Sequence, residues 1–454
     1  MRVTRGLSGP ALFLTAAWLI QAARVLSGVD FSDEMQYYGE ILGLLETGRL
    51  FAADLFLQQA VYLLFHPFFK VHSALFGTVG LVLFGRILFA ALILWMYGMV
   101  RRALVRAGVA PATASCCALA ATFAVPYHNI YAISYNTVAQ VLAAVCFARF
   151  FVWRRHDGAP GACFWAVACV ALVLVYPTLG LGIGLIVAGR LALERDFRSL
   201  LGLLASGAVL ALVMACVVLR FGSPAELAAA LEFSRSFGVG SLWSRGKDLR
   251  TLALILTLIV LAYRTQRARL AQPARSGTRH PGGRVALIAA LLLALGFASG
   301  AIAQDMYWPT FLATTIAALC GCLLALRRDD PGNLPDWRWV TLFFLATGMV
   351  LTATSSNGLR QLAGASMLAA PFYLALASRS GTGGNAAGRP LLPDLRLFAA
   401  GMLAVFATLW IARPYRDAPI WSLPARASDV PAYRYLRLSP EKTRALAMIR
   451  SILA

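Results

Sequence analysis

Apolar runs recur along the whole chain, divided by short stretches in which arginine, glycine and proline collect. Runs of about 17 to 25 residues cross a bilayer as helices. The pattern predicts spans near 10–29, 78–100, 111–126, 136–153, 161–176, 178–193, 199–220, 250–263, 285–303, 308–326, 339–354, 362–378 and 396–412. This reading makes the protein an all-α polytopic membrane protein of about thirteen transmembrane helices. Residues 1–412 form the transmembrane domain, and residues 413–454 form a short tail whose last stretch turns helical after Ser439 and Pro440. That tail is expected to be either short or cut off.

One further stretch, DLFLQQAVYLLFHPFFKVHSALFG at 54–77, is apolar enough to cross. Gln58, Gln59, His66, Pro67, Lys70 and His72 would then load a span with polar groups, and the crossing would invert every later arginine cluster. It reads instead as interfacial helices broken at Pro67, part of a first outer loop over 30–77.

Arginine placement sets the orientation. With the N-terminus cytoplasmic, the inner loops hold Arg2 and Arg5, Arg101, Arg102 and Arg106, Arg154 and Arg155, Arg190, Arg195 and Arg198, the run RTQRARLAQPARSGTRHPGGR, Arg327, Arg328 and Arg338, and Arg379, Arg389 and Arg396. The C-terminus is then outside, and the expected location is the cytoplasmic (inner) membrane. The first apolar run is longer than a usual signal core and reads as an uncleaved helix.

Composition agrees. Only 13% of residues are charged and 59% are hydrophobic, where a soluble domain would be about a quarter charged. The formal charge of +21 sits in short clusters between apolar runs, not along one polar face, which speaks against a nucleic-acid partner. All eight cysteines lie in apolar stretches and read as small core residues, not as disulfide or zinc positions. Polar Gly/Pro-rich segments at 271–283 and 380–395 read as flexible inner loops.

Of the twenty acids, thirteen fall outside, and five of these (Asp30, Asp33, Glu34, Glu40, Glu46) follow the first span directly in VDFSDEMQYYGEILGLLETG. Asp33 with Gln36 has the spacing of a capping box that starts a surface helix. Asp33, Tyr37 and Glu40 also share one face of that helix, with Glu34 beside them, and a carboxylate there suits general-base work on an acceptor.

The segment DEMQYYGEILGLLETGRLF, then FLQQAVYLLFHPFFKVHSALFG, then GRILFAAL resembles the first outer loop and second span of the GT-C glycosyltransferases. These polyprenyl-phosphate-sugar-dependent enzymes include the protein mannosyltransferases and the lipid A aminoarabinose transferases. The resemblance covers about residues 30–92 and implies a GT-C-like fold. It implies Asp33 as the catalytic Asp with Glu34 as neighbour, Tyr37 as the following aromatic, and Arg86 as the second-span arginine. The chain departs at the surface-helix motif, where relatives carry Lys or His before Pro-Pro and this sequence has Gln58 and Gln59.

Other outer-face candidates for substrate contact are Gln59, His66, Lys70, Asp305 in AQDMYWP, Arg245 and Lys247 in the loop 221–249, and Arg360 in TSSNGLRQL. Lys70, Arg235, Arg245, Lys247 and Arg360 are the basic groups that would meet the carrier phosphate. Each also has a plain reading: solvated loop, aromatic belt, or, for Arg86, a tie between spans. His66 and His72 fall on different helix faces, so no metal site is expected; a divalent cation is the one cofactor left open. TSSNGLRQL, with Ser355, Ser356, Asn357 and Arg360, reads as a sugar- or phosphate-binding turn or as a plain bend between helices, and PYHNIYAISYNTV, with Tyr127, His128, Asn129, Tyr131, Tyr135 and Asn136, as a sugar-contact segment or, in preference, an aromatic belt.

The expected activity is inverting transfer of a sugar from a polyprenyl-phosphate donor to a glycan, lipid or protein acceptor at the outer membrane surface, with Asp33 as general base. Two alternatives stand beside it. One is a transporter or flippase of a lipid-linked or small polar substrate, which would place ionisable or Gly/Pro-broken positions at mid-membrane. The other is a surface polysaccharide polymerase or ligase, which would carry its main polar loop late in the chain. No Walker loop, dinucleotide fingerprint, Gly-x-Ser-x-Gly or His-Glu-x-x-His motif occurs.

Overall fold

The structure, a computed structural model, describes residues 9–31, 33–51, 56–124, 130–153, 158–238, 418–423, 425–426 and 430–453, with a few positions between 343 and 411. The expected spans from 250–263 onward, the loops at 271–283 and 380–395, and Arg245, Lys247, Asp305 and Arg360 lie outside the described residues but for those few positions. Helix makes up 82% of what is described, and strand is confined to one antiparallel pair of two-residue strands, which fixes the class as α.

The helices begin where local chemistry starts them. They are α1 (Gly9–Leu26), α2 (Asp33–Thr47), a 3-10 helix (Leu57–Leu64), α3 (His66–Phe76), α4 (Leu81–Arg106), α5 (Pro111–Ala124), α6 (Tyr135–Phe151), α7 (Gly158–Val175), α8 (Pro177–Leu193), α9 (Phe197–Phe221) and α10 (Pro224–Gly238). Proline, with no N–H to leave unbonded and φ already helical, opens α5, α8 and α10. A reciprocal box starts α6: Ser134 Oγ accepts from the Thr137 amide at 3.2 Å, and Thr137 Oγ1 from the Ser134 amide at 3.1 Å. Asp196 caps α9 through the Ser199 amide at 3.1 Å.

Among the described residues two helices, α4 and α9, are long and apolar enough to cross a membrane. The 26 residues of α4 extend about 39 Å. It runs past the expected end at 100 because arginine stems continue the helix, and Arg101 Nε donates to Ser115 Oγ of α5 at 2.9 Å. Shorter apolar helices, among them α6 and α8, pack beside these two. At Gly180 a Cβ would stand 2.5 Å from the Val173 amide nitrogen, so the α7–α8 hairpin closes to a distance only glycine allows.

Polar contacts collect at the two ends of these helices. Where α6 and α8 finish, Glu194 accepts from Arg190 Nε at 2.8 Å and from Trp153 Nε1 at 3.2 Å. The Arg190 guanidinium lies over the Phe150 and Trp153 rings at 4.9 and 4.7 Å. At the opposite end, where α6 begins and α9 finishes, lie α2, the 3-10 helix, α3 and α10.

Two expectations change here. The break in the interfacial stretch falls at Phe65, not at Pro67, which sits in the first turn of α3 where its missing donor costs nothing. The stretch read as a loop at 221–249 contains α10, started by Ser223 and Glu226: Ser223 Oγ accepts from the Glu226 amide at 3.2 Å, and Glu226 Oε2 from the Ser223 amide at 2.8 Å. That helix packs against the 3-10 helix and the segment that precedes it. Phe56 meets Phe233 edge-on at 5.1 Å, Arg49 pairs with Glu226, and the Leu50 amide donates to the Phe221 carbonyl at 2.7 Å.

The C-terminal segment also joins this end. Strands β1 (Ala425–Arg426) and β2 (Arg437–Leu438) pair, and α11 (Pro440–Leu453) follows, opened by Ser439 Oγ accepting from the Lys442 amide at 3.3 Å. Leu436 and Leu438 are fully buried. Arg437 bridges to Ser27, its carbonyl accepts from the Gly28 amide at 2.9 Å, and the Pro431 carbonyl accepts from the Gly80 amide at 2.8 Å.

Candidate functional site

The start of α2 is capped three residues earlier than the sequence suggests. Asp30, not Asp33, takes the cap: its Oδ2 accepts from the Asp33 amide at 3.2 Å and its carbonyl from the Met35 amide at 3.1 Å. Glu34 Oε2 closes the box by accepting from the Asp30 amide at 3.1 Å. Gln36 turns to Glu40 instead, donating to Oε1 at 3.1 Å. Capping therefore falls to Asp30 and Glu34, and the half-buried Asp33 side chain stands in the first turn beyond the cap.

Glu34 is 1% exposed and faces Arg86 of α4 in a two-pronged pair: Nε donates to Oε1 and Nη2 to Oε2, both at 2.8 Å. Arg86 is fully buried as well. Its Nη1 donates to the carbonyls of Arg24, Val25 and Ser27 at 3.2–3.3 Å, and its Nη2 donates to the Gly28 carbonyl at 2.5 Å. The guanidinium thus closes the end of α1, whose last carbonyls have no partners within their own helix. Both oxygens of Glu34 and the donors of Arg86 are engaged within the fold, so this pair joins α1, α2 and α4.

The next helical face holds a different set. Tyr37 is buried, its ring meets Tyr135 edge-on at 6.2 Å, and its hydroxyl accepts from Asn136 Nδ2 at 3.4 Å. Glu40 Oε2 accepts from the Tyr62 hydroxyl at 2.7 Å. Burial first, then the neighbouring Tyr135, Asp33 and Glu40, push the Tyr37 phenol well above its ordinary value of 10.0. Burial and the Glu40 carboxylate do the same to Tyr62, so both hydroxyls keep their protons through the neutral range. Two carboxylates, three tyrosines and an amide thereby gather where α2, the 3-10 helix and the first turn of α6 meet.

Other predicted residues stand around this cluster or apart from it. Gln59 is buried in the 3-10 helix, three positions before Tyr62. His66 packs edge-on against Phe221 at the end of α9, with centroids 5.0 Å apart, and Lys70 is exposed one turn further along α3. His72 is separate, stacked on Phe84 at 4.5 Å. Among the described residues no three His, Cys, Asp or Glu side chains come together to hold a metal ion.

Sequence reasoning singled out neither Tyr62 nor Arg220, and it read Tyr135 and Asn136 as sugar contacts or as part of an aromatic belt, the belt being preferred. Tyr62 lies 22 positions from Glu40, beyond the reach of any helical spacing. Arg220, exposed near the end of α9, borders a 430 Å³ apolar groove with Leu212, Val213, Cys216, Val217 and Phe221. It sits one position before the Phe221 that His66 touches.

Comparison of the chain with family models, with curated proteins and with solved structures returns no match.

Proposed function

We propose that the protein is an integral-membrane glycosyltransferase, GT-C-like in architecture, that transfers a sugar with inversion from a polyprenyl-phosphate carrier to an acceptor at the outer face of the cytoplasmic membrane. Asp33 is its general base. The observation that carries this reading is the gathering of Asp33, Glu40, Tyr37, Tyr62, Tyr135 and Asn136 at one end of an apolar helical assembly.

Chemistry divides the acids. Glu34 faces inward to Arg86, so the proton-accepting role falls to Asp33 in the first turn of α2. Asp33 takes the acceptor proton as the acceptor atom attacks the anomeric carbon, the bond to the phosphate oxygen breaks, and the polyprenyl phosphate leaves. The phenols and Asn136 offer the donors and acceptors that hold a sugar's hydroxyls. Charge growing on the departing phosphate calls for a cation at the membrane surface, for which Lys70 and Arg220 are the described candidates. Arg245, Lys247 and Arg360 remain candidates from sequence.

Membrane placement rests on surface chemistry. Helix α9 exposes Leu201, Leu204, Val209, Leu212, Val213 and Leu219, and only 11% of its most apolar window is buried. A soluble core helix would bury that face. Helix α3 likewise exposes Phe68, Val71 and Leu75 in one stripe while burying Phe69 and His72, as suits a helix lying at the bilayer surface beside the start of α4.

Asp33→Asn tests the assignment. Transfer of labelled sugar from a polyprenyl carrier should fall by roughly 100-fold or more, with the protein's amount in the membrane unchanged. Transfer within about twofold of wild type would remove Asp33 from the mechanism.

A further inference from the structure

The junction between α1 and α2 has few resources of its own. Residues Ser27 to Phe31 must turn the chain from one helix into another, and their backbone groups need hydrogen-bond partners there. The C-terminal segment supplies several of them. Arg437 bridges Ser27 and its carbonyl accepts from the Gly28 amide; Lys442 Nζ donates to the Val29 carbonyl. The same ammonium lies 5.4 Å from the centre of the Phe31 ring, against which Tyr433 packs at 6.5 Å. Tyr435 rests on Gly80 at the start of α4, within 3.4 Å of where a Cβ would be.

Apart from the Tyr435–Gly80 contact, these contacts fall on residues 27–31, which surround the Asp30 cap and lead into the turn that carries Asp33. We propose that residues 430–446 act as a strap that fixes the direction of α2, and that Lys442 is a positioning residue for Asp33. The role of Lys442 rests on the proposed transfer reaction; the strap itself does not. A lysine suits the place because its ammonium donates to a backbone carbonyl and sits on an aromatic face at once. Misalignment of a base by a fraction of an ångström lowers the chemical step without weakening donor binding.

The test uses the full chain in lipid nanodiscs, with Lys442→Met, which keeps the length and removes the donor, and Lys442→Arg, which restores one. Hydrogen exchange is followed at the amides of Gly28, Asp33 and Met35, whose acceptors are the Arg437 carbonyl, Asp30 Oδ2 and the Asp30 carbonyl. In Lys442→Met these should exchange on the order of tenfold faster while α6 amides keep the wild-type rate, and Lys442→Arg should restore protection. In the transfer assay the same variant should lose roughly tenfold in kcat at an unchanged donor KM.

Unchanged exchange at all three amides would overturn the strap, as would a uniform loss that includes α6. A loosened junction with wild-type kcat would overturn the positioning role. A wild-type chain that transfers no sugar would sink the proposed function, and with it the role of Lys442, while exchange still decides the strap.

Discussion

Arg86 and Glu34 show how a residue's position in the fold decides what its charge is for. An arginine in an apolar span is costly unless its donors are met, and here a carboxylate and four carbonyls meet them. Removing only the cation leaves Glu34 buried without its counter-ion. Arg86→Met should therefore destabilise the fold by about 3–5 kcal/mol, read as a lowered unfolding midpoint in detergent. The double variant Glu34→Met/Arg86→Met should be less unstable than Arg86→Met alone, since no buried anion remains. If the double variant is the worse of the two, the pair is not what joins the three helices.

At the scale of elements, the clasp between α3 and α9 is set by one histidine. Burial against Phe221, and then the neighbouring Lys70 charge, hold the His66 imidazole below its ordinary value of 6.5. The folded protein thus binds that proton less readily than the unfolded chain does. Its contribution is complete above about pH 6.5 and is lost as the pH falls through that value toward the lower folded one. Unfolding temperatures at about pH 7.5 and 5.5 should diverge more for wild type than for His66→Phe, which cannot titrate. Equal divergence in the two proteins would show that the ring stays wet.

Element boundaries were largely legible from sequence, because apolar length and helix-starting residues act locally. The expected spans 136–153, 178–193 and 199–220 lie within two residues of α6, α8 and α9 at either end. The helix after the first span starts at Asp33, as its spacing suggested, although Asp30 caps it. A cap one turn upstream was hidden because aspartate suits both positions equally. Tyr38 was not singled out either, though it fixes how close α2 comes to α4: its hydroxyl donates to the Val82 carbonyl at 3.0 Å and occupies the space a Cβ on Gly85 would need. The Tyr62–Glu40 contact and the strap join residues far apart in sequence, and no periodicity reports such pairs.

At the scale of the whole molecule, the strap links membrane topology to the fold. Gly28 and Arg437 are hydrogen-bonded across more than 400 residues, so the chain must leave the first loop and come back to the same side of any membrane it crosses. An even number of crossings between them satisfies this, and the arginine pattern arrived at the same parity independently. Cysteines introduced one at a time at exposed positions give the test: Glu46 on α2, Met448 on α11, and Arg102 and Arg198 near the opposite helix ends. A membrane-impermeant maleimide on intact cells should label the first two, and the arginine positions should react only after permeabilisation. The native chain run in parallel supplies the background from its own cysteines, of which Cys163 and Cys216 are exposed. Labelling of Glu46 and Met448 from opposite sides would contradict the Gly28–Arg437 bond. Labelling of Arg102 together with Glu46 would instead mean that α4 does not cross, and the arginine-based orientation would fall with it.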